Sequence, residues 1–392
     1  MSMATTISMA GAAASSSTFL SSPSRPSPSS PPYILQHHRQ LNHGHGGSVS
    51  LNHRILFPCR PLQLPLSVSS TTTYTGSGEV LEVSEIKERS RKWQWKDRYS
   101  INYFVQSPLS ADSGRRRPPL VLVHGFGASV PHWRRNITTL AQDHTVYAID
   151  LLGFGASDKP AGFMYTMETW AGLLLDFLNE VVQEPAVLIG NSVGSLACVI
   201  SAAESCQRSQ PLVSGLVLLN CAGGMNNKAI VDDWRIKLLI PVLWLIDFLL
   251  KQKPIASALF ERVKQRENLR NVLLSVYGCK ESVDDTLVEI IKEPADGEGA
   301  LDAFVSIVTG PPGASPVKLM PRITIPVLVL WGDQDPFTPL DGPVGRYFTS
   351  LPSSCRNVTL SVLSGVGHCP HDDRPALVHE KLLPWLSDLP AA

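Results

Sequence analysis

A single serine stands between two glycines where an apolar stretch of the chain stops. Residues 188–197 read LIGNSVGSLA, which places Ser192 after a predicted strand and before a predicted helix. Gly190 and Gly194 lack the Cβ atoms that would clash in so sharp a turn, so the serine hydroxyl is exposed at its tip. The pattern predicts that Ser192 is a nucleophile and that the N–H of Val193 faces a developing oxyanion. A glycine-rich turn with no chemical role is the alternative interpretation of this segment alone.

A nucleophilic serine needs a base, and the base needs a carboxylate that orients it. His368 lies in the segment LSGVGHCPHDDRP, after the last predicted strand and before the last predicted helix, and it is the predicted base. Activity should therefore fall as the pH drops from neutral, because a protonated imidazole cannot accept a proton. The nearby His371 is the main rival for this role, and it is interpreted as a surface-loop residue that needs no role. His379 is expected to be exposed to solvent on the last helix.

Two further segments at strand ends complete the candidate site. In VLVLWGDQDPFTP, Asp335 lies past the end of a predicted strand, where its side chain can reach His368, while Asp333 is expected to cap or pin the turn. In VLVHGFGAS, the N–H of Phe126 is predicted to supply the second oxyanion donor. His124 in the same segment is expected to brace the loop through hydrogen bonds. The motifs that contain Ser192, His368, Asp335 and Phe126 therefore agree, and together they predict that Ser192 is a nucleophile.

These residues must be positioned by an α/β scaffold. Short, nearly continuous runs of Val, Leu and Ile predict strands that are covered on both faces of a mostly parallel sheet. Stretches with helical spacing separate them, which predicts a doubly wound arrangement. Residues 92–106 alternate in the manner of a β-hairpin. The predicted buried strands are PPLVLVHG, TVYAIDL, PAVLIGNS, GLVLLNCA, PVLVLWG and NVTLSVL.

The alternation of strands and helices is interrupted once, over about residues 222–321, where the pattern predicts an inserted helical cap. Its most apolar part, residues 236–251, is shorter than the roughly 20 apolar residues of a membrane span and contains Pro241 and Asp247. The segment has more apolar side chains than one buried stripe requires, so Trp244 and Phe248 are candidates to contact substrate or a membrane. A helix packed on all sides by protein is the alternative.

The first 78 residues differ in composition from the rest. They contain no Asp or Glu and are rich in Ser, Pro and Thr, which is typical of an organelle transit peptide, here of the chloroplast. The alternative is a disordered tail that has no targeting function. We expect this leader to be needed for import and dispensable for catalysis, with residues 79–392 forming the folded domain. The formal net charge of zero and the absence of a CxxC pair among the 7 cysteines favour neither nucleic acid nor a zinc site as partner.

The motifs HGFGASVPHWRRN, AIDLLGFGASDKP, GNSVGS, LWGDQDPFTP and GHCPHDDRP together resemble the capped α/β-hydrolase superfamily. Within it, the sequence is similar to the chlorophyll dephytylases of plant chloroplasts and more distantly to the pheophytinases. The resemblance implies hydrolysis of the phytyl ester of chlorophyll or a related tetrapyrrole at the thylakoid membrane, without a cofactor or a protein-held metal. An esterase or lipase for another plastid lipid is the main alternative, and a ligand receptor with a hydrolase fold is a further one. Protein partners are unknown.

Overall fold

An eight-stranded sheet forms the centre of the fold, with strand order β1-β2-β4-β3-β5-β6-β7-β8. The structure is a computed structural model, and it describes residues 80–110, 117–226 and 240–389. The strands are β1 (Arg91–Trp95), β2 (Tyr99–Gln106), β3 (Leu120–Val123), β4 (Val146–Ile149), β5 (Ala186–Asn191), β6 (Val213–Leu219), β7 (Val327–Gly332) and β8 (Val358–Leu363). The predicted hairpin is therefore confirmed, and each of the six segments predicted as buried strands forms a strand.

Strand direction follows the amino-acid pattern. The hairpin of β1 and β2 is antiparallel, and β2 also pairs antiparallel with β4, while β4, β3, β5, β6, β7 and β8 pair in parallel. Every residue of β3, β5 and β7 is buried, as a strand between two helical layers requires. Strand β8 lies at the end of the sheet and is buried only at Val358 and Leu363, so the prediction that this segment is covered on both faces is wrong. The parallel strands therefore all present their carboxyl ends at one edge.

Helices cover both faces of the sheet. One apolar core contains residues of α3 (Met167–Phe177), α4 (Val193–Ser205), α10 (Pro316–Leu319) and α11 (Pro343–Ser354). The other contains residues of α1 (Val83–Arg89), α2 (Ile137–Leu140) and α13 (Pro375–Asp388), and the short α12 (Pro370–Asp373) precedes α13. Short 3₁₀ or π turns lie at Val130–Trp133, Leu178–Val182, Lys280–Ser282 and Met320–Arg322. The doubly wound architecture is confirmed.

Further helices lie between β6 and β7 and form the inserted cap. They are α5 (Ile240–Leu250), α6 (Lys253–Val263), α7 (Arg266–Val276), α8 (Asp285–Ala295) and α9 (Ala300–Thr309). Residues of α7 and α8 share a small apolar core with Tyr277 and Val283. Residues 227–239 of the predicted cap and the leader, residues 1–78, lie outside the described residues. Within the described ranges, no helix is long and apolar enough to cross a membrane.

Candidate active site

Ser192 occupies a strained turn between β5 and α4. Its backbone dihedrals are φ 55° and ψ −120°, a region that residues with side chains rarely adopt. The turn is held on both sides, because the N–H of Ser192 donates to the carbonyl of Leu219 at 3.0 Å and its own carbonyl accepts from Ala222 at 3.1 Å. A Cβ on Gly194 would lie 2.3 Å from the carbonyl oxygen of His124, so only glycine fits there. Strain that is fixed by its surroundings in this way is typical of functional residues.

The loop after β3 lies beside this turn. A Cβ on Gly125 would be 3.3 Å from the Cβ of Ser192, so the backbone around Phe126 closely approaches the serine. The N–H groups of Phe126 and Val193 have no hydrogen-bond partner among the described residues. His124 braces the loop as expected: its Nδ1–H donates to the carbonyl of Gly125 at 2.7 Å, and its Nε2 accepts the N–H of Leu151 at 3.0 Å. Two donors are thus available beside the serine.

His368 and Asp335 form a hydrogen-bonded pair at the same edge of the sheet. The Nδ1 of His368 lies 2.7 Å from Oδ2 of Asp335. The carboxylate also accepts from Thr338 Oγ1 at 2.5 Å, from Asn220 Nδ2 at 2.7 Å and from the N–H of Phe337 at 2.7 Å. Burial alone raises the pKa of Asp335, but the charge of His368 and the hydrogen bonds from His368, Thr338 and Asn220 outweigh it and lower this pKa to about 2. The carboxylate is therefore ionised at neutral pH.

Asn191 connects the pair to the serine turn. Its Nδ2 donates to the backbone carbonyl of His368 at 2.9 Å and to the carbonyl of Leu219 at 3.2 Å. Because Asn191 precedes Ser192, this hydrogen bond links the serine turn after β5 to the loop of His368 after β8. The Ser192 hydroxyl makes no hydrogen bond to a described residue in this structure. Such bonds commonly tighten only when substrate binds.

Asn191, Asn220 and Thr338 support the site but were not among the residues predicted from the sequence. Each of the two asparagines lies at the carboxyl end of a buried strand, in the runs VLIGN and VLLN, where a polar residue interrupts an apolar pattern. This interruption of the apolar pattern is the feature of the sequence from which Asn191 and Asn220 could have been predicted as site residues. Asp333 behaves as expected, since its Oδ1 accepts the N–H of Gly365 at 2.8 Å and so pins the turn.

The interpretation of His371 as a surface-loop residue is wrong. It is fully buried on α12, where its ring stacks on Trp133 with 4.0 Å between ring centroids and its Nε2 lies 3.3 Å from Nδ1 of His132. Burial, followed by the charge of Arg134, lowers the pKa of His371 to about 3. The expected solvent exposure of His379 is also wrong, because it is partly buried and its Nε2 lies 3.1 Å from Oδ1 of Asn136. Burial lowers its pKa to about 4.

The buried histidines predict a loss of stability in acid. In the unfolded chain a histidine takes up a proton near pH 6.5, whereas His371 does so in the folded protein only at about 3. Between these values the unfolded state binds more protons, so the melting temperature should fall as the pH drops below about 6.5. Protonation of the buried Asp372, whose pKa is raised by burial, offsets part of this loss.

The measurement is a series of melting temperatures from pH 8 to pH 4 for the wild type and for His371→Gln. The variant should show a shallower fall, because it lacks one of the groups that stay neutral only in the folded state. It should also retain most of the neutral-pH activity of the wild type. An identical pH slope in the two proteins would contradict the assignment of His371 as a buried neutral histidine.

The arrangement contains the parts that acyl transfer requires. A serine in a strained turn follows Asn191, which holds the backbone of a histidine, and the Nδ1–H of that histidine is held by an ionised carboxylate, with two backbone N–H groups near the serine. Such a set can cleave an ester in two steps, through an acyl-enzyme. In the described part of the chain, no group of three or more His, Cys, Asp or Glu side chains is placed to hold a metal ion.

Comparison with known proteins identifies the family. The profile of the alpha/beta hydrolase family matches residues 120–381. The chain belongs to this hydrolase family. It is 27% identical over 274 residues to the uncharacterized hydrolase YugF of Bacillus subtilis (strain 168), which is 69% of this chain and 90% of that protein. The chain is therefore a hydrolase by family, with the serine turn inside the matched region.

Two other comparisons are informative about the family and the fold. The chain is 26% identical over 338 residues to the chloroplastic pheophytinase of Arabidopsis thaliana, which covers 76% of this chain and 66% of that protein. The solved structure of the epoxide hydrolase CorEH superposes with a TM-score of 0.59 at 19% identity, over 77% of this chain and 99% of that one. The latter similarity concerns the fold alone.

Proposed function

We propose that this hydrolase is a serine esterase that removes the phytyl chain from chlorophyll, with Ser192 as nucleophile, His368 as base and Asp335 as the orienting acid. The observation that supports it most is the geometry of the three residues. Ser192 lies in a left-handed turn with φ 55°, and Asn191 next to it holds the backbone of a histidine whose ring is bonded to a buried carboxylate. This is the arrangement that activates a serine hydroxyl at neutral pH.

The proposed reaction has two steps, the formation of an acyl-enzyme and its hydrolysis. Oγ of Ser192 attacks the ester carbonyl while Nε2 of His368 takes its proton, and the N–H groups of Phe126 and Val193 stabilise the oxyanion. The intermediate collapses, the proton passes from His368 to the leaving alcohol, and phytol departs from the acyl-enzyme. Water, deprotonated by His368, then attacks the acyl carbon, releases chlorophyllide as its carboxylic acid and restores Ser192. No cofactor takes part.

An apolar ester is favoured by a row of aromatic rings that leads from the serine into the cap. The ring of Phe126 lies 5.6 Å from that of Phe154 and 6.0 Å from that of Phe304 on α9, and Phe304 is 5.1 Å from Phe260 on α6, all between centroids. Phe337, which is partly exposed, packs edge-on against the ring of His368 with 5.0 Å between centroids. Walls of this kind bind hydrocarbon, since each methylene removed from water contributes about 0.8 kcal/mol.

The outer surface of the cap supports contact with a membrane. Leu245 and Phe248 lie three residues apart on α5, hence on one side of that helix, and each is 50% exposed. The exposed Lys251 and Lys253 follow immediately. Apolar side chains next to cations suit the interface of a lipid bilayer. The side chain of Trp244, the other candidate from the sequence, lies outside the described residues.

The phytyl ester and the chloroplast location are supported by three features together. The leader of residues 1–78 has the composition of a transit peptide, the chain resembles a chloroplastic pheophytinase, and the aromatic row suits a long apolar alcohol. We therefore propose that the hydrolase acts in the chloroplast, at the thylakoid membrane surface. The nearest competing function is an esterase or lipase for another plastid lipid.

The deciding experiment incubates the purified protein side by side with chlorophyll, pheophytin and galactolipids and separates the products. Chlorophyllide and phytol from chlorophyll, absent with Ser192→Ala, would support the proposal. If chlorophyll stayed intact while a galactolipid was hydrolysed, the proposed substrate would be wrong and the lipase alternative would replace it.

A charged residue at position 248 should separate long from short substrates. Phe248→Glu places a charge on the exposed apolar side of α5, where we expect the wild-type side chain to be buried against substrate or membrane. Chlorophyll hydrolysis should therefore drop about tenfold or more, which is the effect of losing the burial of one apolar side chain. Hydrolysis of a short-chain nitrophenyl ester, which needs no such contact, should change much less. Recovery of the protein with thylakoid membranes should also decline.

The matched control is Val362→Glu, because Val362 is 46% exposed on the edge strand β8, outside the cap. This variant should leave both activities and membrane recovery near those of the wild type. If Phe248→Glu impaired both substrates equally while the fold stayed intact, the cap would be a structural cover only.

A further inference from the structure

The end of helix α7 lies directly against the loop that holds His368. The N–H of His368 donates to the carbonyl of Val276, the last residue of α7, at 2.8 Å. Two residues later, a Cβ on Gly278 would lie 2.2 Å from the carbonyl oxygen of Gly365, so the two backbones touch where no side chain fits. The cap therefore contacts the backbone of the proposed base itself, and not only the substrate side of the site.

Asp373 joins these two segments through its carboxylate. Oδ2 accepts the N–H of Gly367 at 2.6 Å and the N–H of Gly278 at 2.8 Å, while Oδ1 accepts the N–H of Cys279 at 2.8 Å. Asp373 is buried, and its backbone carbonyl accepts a further hydrogen bond from Ser282 Oγ at 2.7 Å. Hydrogen bonds to an ionised oxygen are about twice as strong as neutral ones. One side chain thus ties the residue before His368 to two residues of the cap segment.

We propose that Asp373 is a positioning residue that fixes the cap segment 276–279 to the loop of His368, so that the orientation of the base depends on the seating of the cap. Asp373 does not contact the reacting atoms. It acts through the N–H of Gly367, which precedes His368, and through the segment whose Val276 accepts the N–H of His368. The inference rests on the role proposed above for His368.

A second set of contacts keeps the same region folded without Asp373. The hydroxyl of Tyr277 donates to Oδ2 of Asp372 at 3.0 Å and lies 2.8 Å from Nε2 of His132. Arg134 Nη1 donates to Oδ1 of Asp372 at 2.8 Å. These buried groups anchor α12 and the end of α7 to each other. Removing the Asp373 carboxylate therefore changes the fine placement of the loop without removing its main anchor.

The test compares Asp373→Asn with Asp333→Asn in the full-length protein. An amide at 373 cannot accept all three N–H groups, so kcat for a short-chain nitrophenyl ester should fall by about 10- to 100-fold, the cost of a small misplacement of a reacting group. KM should change little. Asp333 accepts one N–H in the same loop but does not contact the cap segment, so Asp333→Asn should keep kcat near the wild-type value.

Two readouts separate positioning from stability. The rate at which a fluorophosphonate probe modifies Ser192 should fall in step with kcat, because that reaction also needs the base. The proton resonance of the His368 Nδ1–H, shifted downfield by its bond to Asp335, should broaden or move in Asp373→Asn. A lowered melting temperature with both readouts unchanged would overturn the inference.

Gly278→Ala is the second variant, and it leaves Asp373 intact. Its Cβ would push the cap segment away from Gly365, so kcat should fall with KM again little changed. Active-site titration restricts each rate to folded enzyme, so partial misfolding does not obscure the result. If Ser192→Ala is inactive while Asp373→Asn and Gly278→Ala both keep kcat, this inference fails alone. If Ser192→Ala retains activity, the proposed function fails instead.

Discussion

Replacing Ser192 with alanine should reduce ester hydrolysis by about 10⁴- to 10⁶-fold, the range found when a serine nucleophile is removed from comparable enzymes. The hydroxyl makes no hydrogen bond to a described residue, so its loss should leave the fold intact. The left-handed backbone of residue 192 is held by hydrogen bonds of its main chain, which alanine preserves. Measured rates with a short-chain nitrophenyl ester, together with melting temperatures, provide the comparison.

Ser195 is the matched control for this experiment, because it lies three residues further on the same turn and helix. Its hydroxyl donates to the carbonyl of Gly190 at 2.6 Å and accepts the N–H of Leu219 at 3.2 Å, in a fully buried position. Ser195→Ala should therefore lower stability, by about 1 to 3 kcal/mol for buried groups left unpaired, and keep activity per folded molecule. Activity that survived Ser192→Ala would remove the serine esterase from consideration.

The scaffold was predictable from the sequence because its signals are local. Strands β3, β5 and β7 are short runs rich in Val, Leu and Ile that end at or just before a polar or glycine residue, and their burial on both faces requires such apolar runs. Parallel strands also bring their carboxyl ends to one edge of the sheet. Residues placed just after three such strands, at 192, 335 and 368, were therefore expected to meet.

The surroundings of those residues were less predictable, because their partners are remote in sequence. His371 is followed by two aspartates, which is typical of a surface loop, yet it is buried against Trp133. The aspartate after it is paired with Arg134, which lies 238 residues earlier in the sequence. The same holds for Asp373, whose three N–H partners include two from the cap. Local composition cannot reveal such pairings, because a charged residue and the partner that compensates its charge come together only after folding.

Replacing Asp335 with asparagine should lower the rate by up to about 10⁴-fold, which is the effect of turning the histidine to the wrong tautomer. The carboxylate accepts hydrogen bonds from His368, Thr338 and Asn220, and these interactions bring its pKa to about 2. An amide of the same size must present its NH₂ group or its oxygen to these donors and cannot serve all of them. The imidazole is then no longer fixed with Nδ1 protonated and Nε2 free.

Asp333→Asn is the control, and its effect on the rate should be much smaller. Asp333 lies two residues before Asp335, and its Oδ1 accepts a backbone N–H from Gly365, a bond that the oxygen of an amide can also form. The two variants should also be compared across pH. Because Asp335 stays ionised down to a pKa of about 2, protonation of this carboxylate should not contribute to any loss of wild-type activity between neutral and mildly acid pH. Equal losses of rate in the two variants would show that Asp335 has no special role, and the pairing with His368 would then be structural.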